Sequence, residues 1–218
     1  DGLTPILLGH MGPVRASISR QALVEAGAII VPEVRRVVTG WAPREDDEYV
    51  QMITASTESD RRNSIIVELA QQAVREGRTV LIQTERVEHV DHLGRMLQAV
   101  GVGSAAVHGQ LPAKVRAALL EAVASGTTPV LIATQLADEG LDLPRLDTLI
   151  LGVPQRNAAR LEQRVGRIAR PAPGKAGAVV YDLCDGGKAE RLWWQRRKVY
   201  AAMGCDVTDH TLSPGDAV

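Results

Sequence analysis

The sequence predicts an α/β fold: a parallel sheet with helices on both faces. From residue 59 onward, short apolar runs alternate with longer stretches patterned at helical spacing. The apolar runs are near-continuous rather than alternating, as expected of strands buried on both faces. Two of the helical stretches stop at a glycine, Gly77 and Gly101, the residue best suited to the left-handed turn that ends a helix.

Taken in order, residues 1 to about 40 are the least regular. Ile6-Leu7-Leu8-Gly9 is a short apolar run, Ser17 to Ala26 suits a helix ended by Gly27, and Ala28 to Val31 and Val34 to Val38 read as strands around Pro32. A charged turn, Arg44-Glu45-Asp46-Asp47-Glu48, precedes helical patterning near 46–54. Ser59 can cap a helix running to Glu76, with Ile65, Ile66, Leu69 and Val74 inward. Thr79 to Thr84 is a strand. Val87 to Val100 is a helix with Val90, Leu93 and Leu97 on one face. Ser104 to His108 is the next strand, and Leu111 to Ser125 a helix with Pro112 at its start, where the missing N–H costs little. Pro129 to Ala133, Thr148 to Leu151 and Ala178 to Leu183 are strands, and a last helix covers about Gly187 to Met203. The division expected is 1–55 as a linker or N-terminal extension packed on the domain, 56–206 as the domain, and 207–218 as a frayed tail. In such a fold ligands sit beyond the carboxyl ends of the strands. The loops after Thr84, His108, Thr134, Leu151 and Leu183 therefore carry the interest.

Composition sets the bounds. The 218 residues suffice for one domain with appendages, and 45% apolar content without any Phe implies a core of Val, Leu, Ile and Ala. Lys plus Arg number 25 against 26 Asp plus Glu. A net charge of −1 excludes a histone-like mode of binding, but the charge is unevenly spread. Val153 to Arg170 holds five Arg and one Glu, and Lys188 to Lys198 holds five basic residues and one acid. Two cysteines make no disulfide scaffold, nothing resembles a signal peptide, and no apolar run can span a bilayer. A soluble, cytoplasmic protein with no membrane partner is expected. The chain opens at Asp1 without a Met, so a piece of something longer is expected too.

Gln163 to Arg170, stopped by Pro171, reads as a short helix with two faces. Steps of three and four put Leu161, Val165 and Ile168 on one side and Gln163, Arg167 and Arg170 on the other. Two permanently charged guanidinium forks on one face suit a polyanion, either a nucleotide phosphate or a nucleic-acid backbone. The competing reading is a solvated basic face. No metal is expected in this chain: His89 and His92, near Glu88 and Asp91, have no third ligand spaced to join them and read as a solvated helix face. Of Trp193 and Trp194, beside Arg196-Arg197-Lys198, at least one is expected to pack on the sheet, with base stacking as the alternative.

Taken together, these loops resemble the second RecA-like domain of a superfamily 2 helicase or translocase. The resemblance covers about residues 60–185. It rests on Val80-Leu81-Ile82-Gln83-Thr84 (motif IV), His108-Gly109, Ala133-Thr134-Gln135 through Glu139-Gly140-Leu141-Asp142-Leu143-Pro144 (motif V), and Gln163 to Arg170 (motif VI), in that order and spacing. It is closest to the UvsW and XPB branch of DNA helicases and to type III restriction translocase subunits; the first 55 residues and Asp60-Arg61-Arg62-Asn63 also resemble that branch. The resemblance implies that Arg167 and Arg170 are arginine fingers reaching the γ-phosphate of ATP, that Gln163 senses the nucleotide, that Asp142 lies near the ribose or its waters, and that Gly140 allows close backbone approach. It implies that Thr84, His108, Gly109, Thr134 and Gln135 contact one strand of nucleic acid, DNA by the branch, with RNA as the alternative. Two departures are Ala169-Arg170 where the motif often ends Gly-Arg, and Val123 where the family carries an aromatic. No Gly-x-x-x-x-Gly-Lys-Ser/Thr occurs, and Asp138-Glu139 lies inside motif V rather than at a Walker B strand end. ATP and Mg²⁺ are therefore expected to be bound mainly by an N-terminal RecA-like domain of the same polypeptide, missing from this chain, which alone is predicted inactive. The alternative is a non-catalytic RecA-like module that binds nucleic acid or a partner.

Overall fold

The computed structural model describes residues 9–12, 15–134 and 143–211. Seven parallel strands form one sheet in the order β3-β4-β2-β5-β6-β1-β7. They are β1 (Glu33–Val38), β2 (Val80–Thr84), β3 (Ser104–Val107), β4 (Val130–Thr134), β5 (Thr148–Leu151), β6 (Val179–Cys184) and β7 (Val207–His210). The helices are α1 (Arg20–Glu25), α2 (Tyr49–Glu58), α3 (Asp60–Arg75), α4 (Val87–Ala99), α5 (Ala113–Ala124), α6 (Ala158–Ile168) and α7 (Glu190–Ala202).

Alternate residues of the same strands build two cores, as the period of two along a strand requires. Leu81, Leu131, Leu149 and Val180 face Val123 of α5, Leu161, Val165 and Ile168 of α6, and Trp193 and Tyr200 of α7. Val80, Ile82, Ile132, Ile150 and Tyr181 face Ile66, Leu69 and Ala73 of α3 and Val90, Leu93 and Leu97 of α4. Every residue of β2, β4, β5 and β6 is buried, which is why these strands read as near-continuous apolar runs, broken within by Gln83 and Asp182. Ser59 caps α3, its hydroxyl accepting from the Arg62 N–H, and Gly77 and Gly101 adopt φ of +76° and +75° at the ends of α3 and α4.

Two stretches differ from expectation. Ala28 to Val31 forms no strand: Gly27 turns left-handed after α1, the Ala28 N–H bonds back to Leu23, and pairing begins only after Pro32. Residues 207–210, expected in the tail, form β7 beside β1, because Gly204 (φ +72°) reverses the chain after α7. The first strand thus lies between β6 and β7, in the sheet itself. Among the described residues no helix is long and apolar enough to cross a membrane.

Candidate functional site

Because all seven strands run parallel, their carboxyl ends align on one edge. Thr84 and Thr134 are register partners at the ends of β2 and β4, and His108 follows β3 immediately alongside. The structure therefore brings Thr84, His108, Gly109 and Thr134 together. They differ in access: Gly109 is exposed, His108 and Thr134 are 7% exposed, and Thr84 is fully buried. Gln135, Gly140 and Asp142 lie outside the described residues.

The Thr84 hydroxyl is engaged inside the domain, 2.7 Å from His89 Nδ1. His89 Nε2 lies 2.8 Å from Asn63 Oδ1, and the Asn63 amide donates to the Thr57 carbonyl at 2.9 Å. The Asn63 oxygen can only accept, so His89 donates from Nε2 and Nδ1 accepts the Thr84 proton. While that bond stands, the hydroxyl has no proton left for a phosphate. Burial pushes the His89 pKa down to about 3, with the Arg62 guanidinium and His92 adding to the effect. The ring is neutral at physiological pH and belongs to the core, not to the solvated face its neighbours suggested. Thr84, His89, Asn63 and Thr57 thus link β2, α4, α3 and α2 through one chain of side chains.

A second buried group stands beside it. Arg62 is fully buried; its Nε donates to Asp185 at 2.8 Å and its Nη1 donates to the carbonyls of Ser56 and Gly152 at 3.0 and 2.9 Å. The Thr39 hydroxyl donates to the same Asp185 oxygen at 2.7 Å. These contacts tie the loops after β1, β5 and β6 to helices α2 and α3. Deeper, Arg196 makes a bidentate pair with Asp182 at 2.7 and 2.8 Å, and Tyr200 donates to Asp182 at 2.7 Å. Burial and the Asp182 charge raise the Tyr200 phenol well above its usual range. The carboxyl edge is therefore a rigid, cross-braced platform.

Helix α6 begins at that edge and runs to the opposite one. Asn157 caps it, accepting from the Arg160 N–H at 3.0 Å, and at its far end the Ala169 carbonyl accepts from Ile30, just ahead of β1. Leu161, Val165 and Ile168 are buried, Gln163 and Arg170 are exposed, and Arg167 is half-buried. Lys175 fixes the segment after the helix, donating to the carbonyls of Arg170 and Leu146 at 2.8 and 2.6 Å. Arg170 is thus remote from the cluster at Thr84, His108 and Thr134: the molecule has two separate polar surfaces.

The family model described as the helicase conserved C-terminal domain matches residues 60–172, just over half of the chain. The chain belongs to that family. This helicase C-terminal domain, of the superfamily 2 type, is 32% identical over 180 residues to "Probable helicase D10" of Escherichia phage T5, covering 82% of the chain and 38% of that protein. It is 28% identical over 147 residues to "ATP-dependent rRNA helicase rrp-3" of Neurospora crassa, covering 65% and 26%. The chain therefore spans well under half the length of these relatives. The structure of T4 UvsW superposes with a TM-score of 0.68 at 16% identity, covering 84% of this chain and 42% of that one.

In the helicase domain, Val80 to Thr84 form β2, and the stretch Gln163 to Arg170 occupies the second half of α6 and the two residues after it. Nothing in the sequence pointed to Thr39 and Asp185, 146 residues apart, and sequence reasoning put His89 on a solvated face and Asn63 in a family-like segment without linking them to Thr84. Arg164 is 3% exposed on α6, on the apolar side; its steps of three from Leu161 and four to Ile168 were the signal that could have found it. Among the described residues no cluster of His, Cys, Asp or Glu could hold a metal ion.

Proposed function

We propose that this chain is the C-terminal half of an ATP-dependent helicase or translocase, with α6 forming one wall of an ATP site whose other wall is a separate N-terminal RecA-like domain. One observation carries the reading. Helix α6 holds the sheet through Leu161, Val165 and Ile168 and leaves Gln163 and Arg167 on its outer side, and Arg170 is exposed two residues past its end, at the edge opposite the strand-end cluster. Two guanidinium groups and an amide suit the outer oxygens of a triphosphate, which only accept hydrogen bonds. They make one wall and not a whole site, because the chain has no glycine-rich phosphate cradle with its lysine. ATP, when bound, supplies the phosphoryl group to be transferred, and Mg²⁺ accompanies it on the other domain. Arg167 and Arg170 neutralise the charge that spreads onto the equatorial oxygens, a contribution on the order of 10³- to 10⁵-fold. Gln163 orients on the same nucleotide, and the motif resemblance adds Gly140 and Asp142 to its contacts.

The second surface grips one strand of nucleic acid. His108, Gly109, Thr134 and Gln135 offer polar and backbone groups to the phosphates, and Thr84 ends the strand that holds them in line. Such contacts position a strand without reading its sequence, so a domain of net charge −1 can bind a polyanion. DNA is the proposed substrate, on the likeness of the motifs to the UvsW/XPB branch; the rRNA helicase relative favours RNA as the second reading.

The test uses the full-length parent protein. Arg170→Ala should lower nucleic-acid-stimulated ATP turnover by about 10³-fold while single-strand affinity, measured on matched DNA and RNA, is kept. Loss of both together makes Arg170 a strand contact and overturns the assignment. This chain alone should show no ATP turnover; robust turnover would remove the need for a second domain.

A further inference from the structure

The last long helix carries a surface that the two sites above do not use. The stretch from Lys188 to Lys198 holds five basic residues and one acid. The structure sorts them. Arg196 is spent inside the core on Asp182. Arg191, Arg197 and Lys198 are exposed along α7, with Glu190 the one acid among them. Among the described residues none of these three makes an ion pair with a carboxylate. Between them stands Trp194, 49% exposed, with the Arg197 guanidinium 5.4 Å from its ring centroid. Its neighbour Trp193 is 2% exposed and fills the core. The packing of α7 on the sheet therefore needs Trp193 and not Trp194. The exposed indole, unlike the other exposed apolar side chains, is a flat π-face set among cations on one helix face, with Arg197 already over its ring.

We infer that the exposed face of α7 is a second nucleic-acid contact, in which Trp194 stacks on a base of an unpaired strand and Arg191, Arg197 and Lys198 hold its phosphates. The occupant follows from chemistry. The patch offers a flat π-face ringed by cations, and a single strand offers flat bases strung on phosphates. Duplex bases are already stacked on one another and give Trp194 nothing to cover. An acidic protein would satisfy the cations and leave the indole unmatched. Position agrees: α7 starts just past the carboxyl end of β6, on the edge that carries the strand-gripping loops. At roughly 4.8 Å per strand, β6 lies about 10 Å from β2 and about 19 Å from β3. A strand gripped at β2 to β4 need follow the same edge that far and then turn about 6 Å down α7, four residues past Glu190, to reach Trp194. The inference rests on the strand-gripping part of the function proposed above and adds to it a contact with bases.

The test uses this chain with fluorescein-labelled dT20 and rU20, read by anisotropy and by indole fluorescence. Binding should quench an indole signal that Trp194→Phe removes. Trp194→Ala should weaken binding by about 5- to 150-fold, the range for one stacked base, and Arg197→Glu should weaken it further at low salt. Trp194 is exposed, so these variants should unfold like the wild type, checked by urea titration. Equal affinity of Trp194→Ala and wild type, or binding without quenching of Trp194, overturns the inference and leaves the grip at His108 and Thr134 standing. No binding of either oligonucleotide counts against both. Protection of Trp194 only when the N-terminal domain is added makes the patch a domain interface and also overturns it.

Discussion

His89 makes the stability of this domain depend on pH in a way that can be isolated. The ring sits between Thr84 and Asn63 at 2.7 and 2.8 Å and is 2% exposed. Burial lowers its pKa from 6.5 to about 3. Between those values the unfolded chain binds a proton that the folded chain refuses, so stability rises with pH across that window and is lost on acidification below 6.5. At ~1.4 kcal/mol per pH unit once the unfolded ring is fully protonated, going from pH 6.5 to 4.5 costs about 2 kcal/mol through this residue alone. His89→Gln keeps a polar amide at the site but does not titrate. At pH 7.5 the variant should be less stable by about 1–3 kcal/mol, for two buried hydrogen bonds imperfectly replaced. Urea unfolding of both proteins at pH 7.5, 6.5, 5.5 and 4.5 measures the difference directly, and carboxylates common to both cancel. The gap should hold above pH 6.5, then narrow and close or reverse by pH 4.5. A gap that stays constant within ~0.5 kcal/mol over the whole range would refute a neutral, proton-refusing His89.

Gly152 follows β5 where a Cβ would come 2.9 Å from the Gln83 carbonyl oxygen, a backbone atom that cannot step aside. Gly152→Ala should cost about 1–3 kcal/mol, seen as a lower thermal midpoint; an unchanged midpoint would mean that the edge yields. Arg196→Met leaves the Asp182 carboxylate buried with only Tyr200 and should cost about 3–5 kcal/mol. Tyr200→Phe removes one charge-assisted bond and should cost about 1.5–3 kcal/mol. Denaturant titration of the pair checks the order, and a larger loss for Tyr200→Phe would contradict the view that Arg196 is the main compensation.

The fold was legible because burial on both faces writes strands as apolar runs, and because capping and stopping are local acts. Ser59, Gly77 and Gly101 mark helix ends whatever lies around them. The two faces of α6 were legible for the same reason: three-and-four spacing is a property of the chain, and Leu161, Val165 and Ile168 separate from Gln163 and Arg167 before any packing is known, while the helix stops at Ile168, short of Arg170. So the sequence by itself determined the parallel architecture, the motif order and the arginine face. Only the tertiary structure decided what crosses between elements. Residues 207–210 become a strand because β1 offers them an open edge. Arg62 finds Asp185, and His89 joins nearby Thr84 to Asn63, because the parallel strands end together and the helices α3 and α4 pack beside them. It decided as well which tryptophan packs: Trp193 and Trp194 are neighbours in sequence, but the successive positions of a helix point about 100° apart, and one meets the sheet while the other meets water.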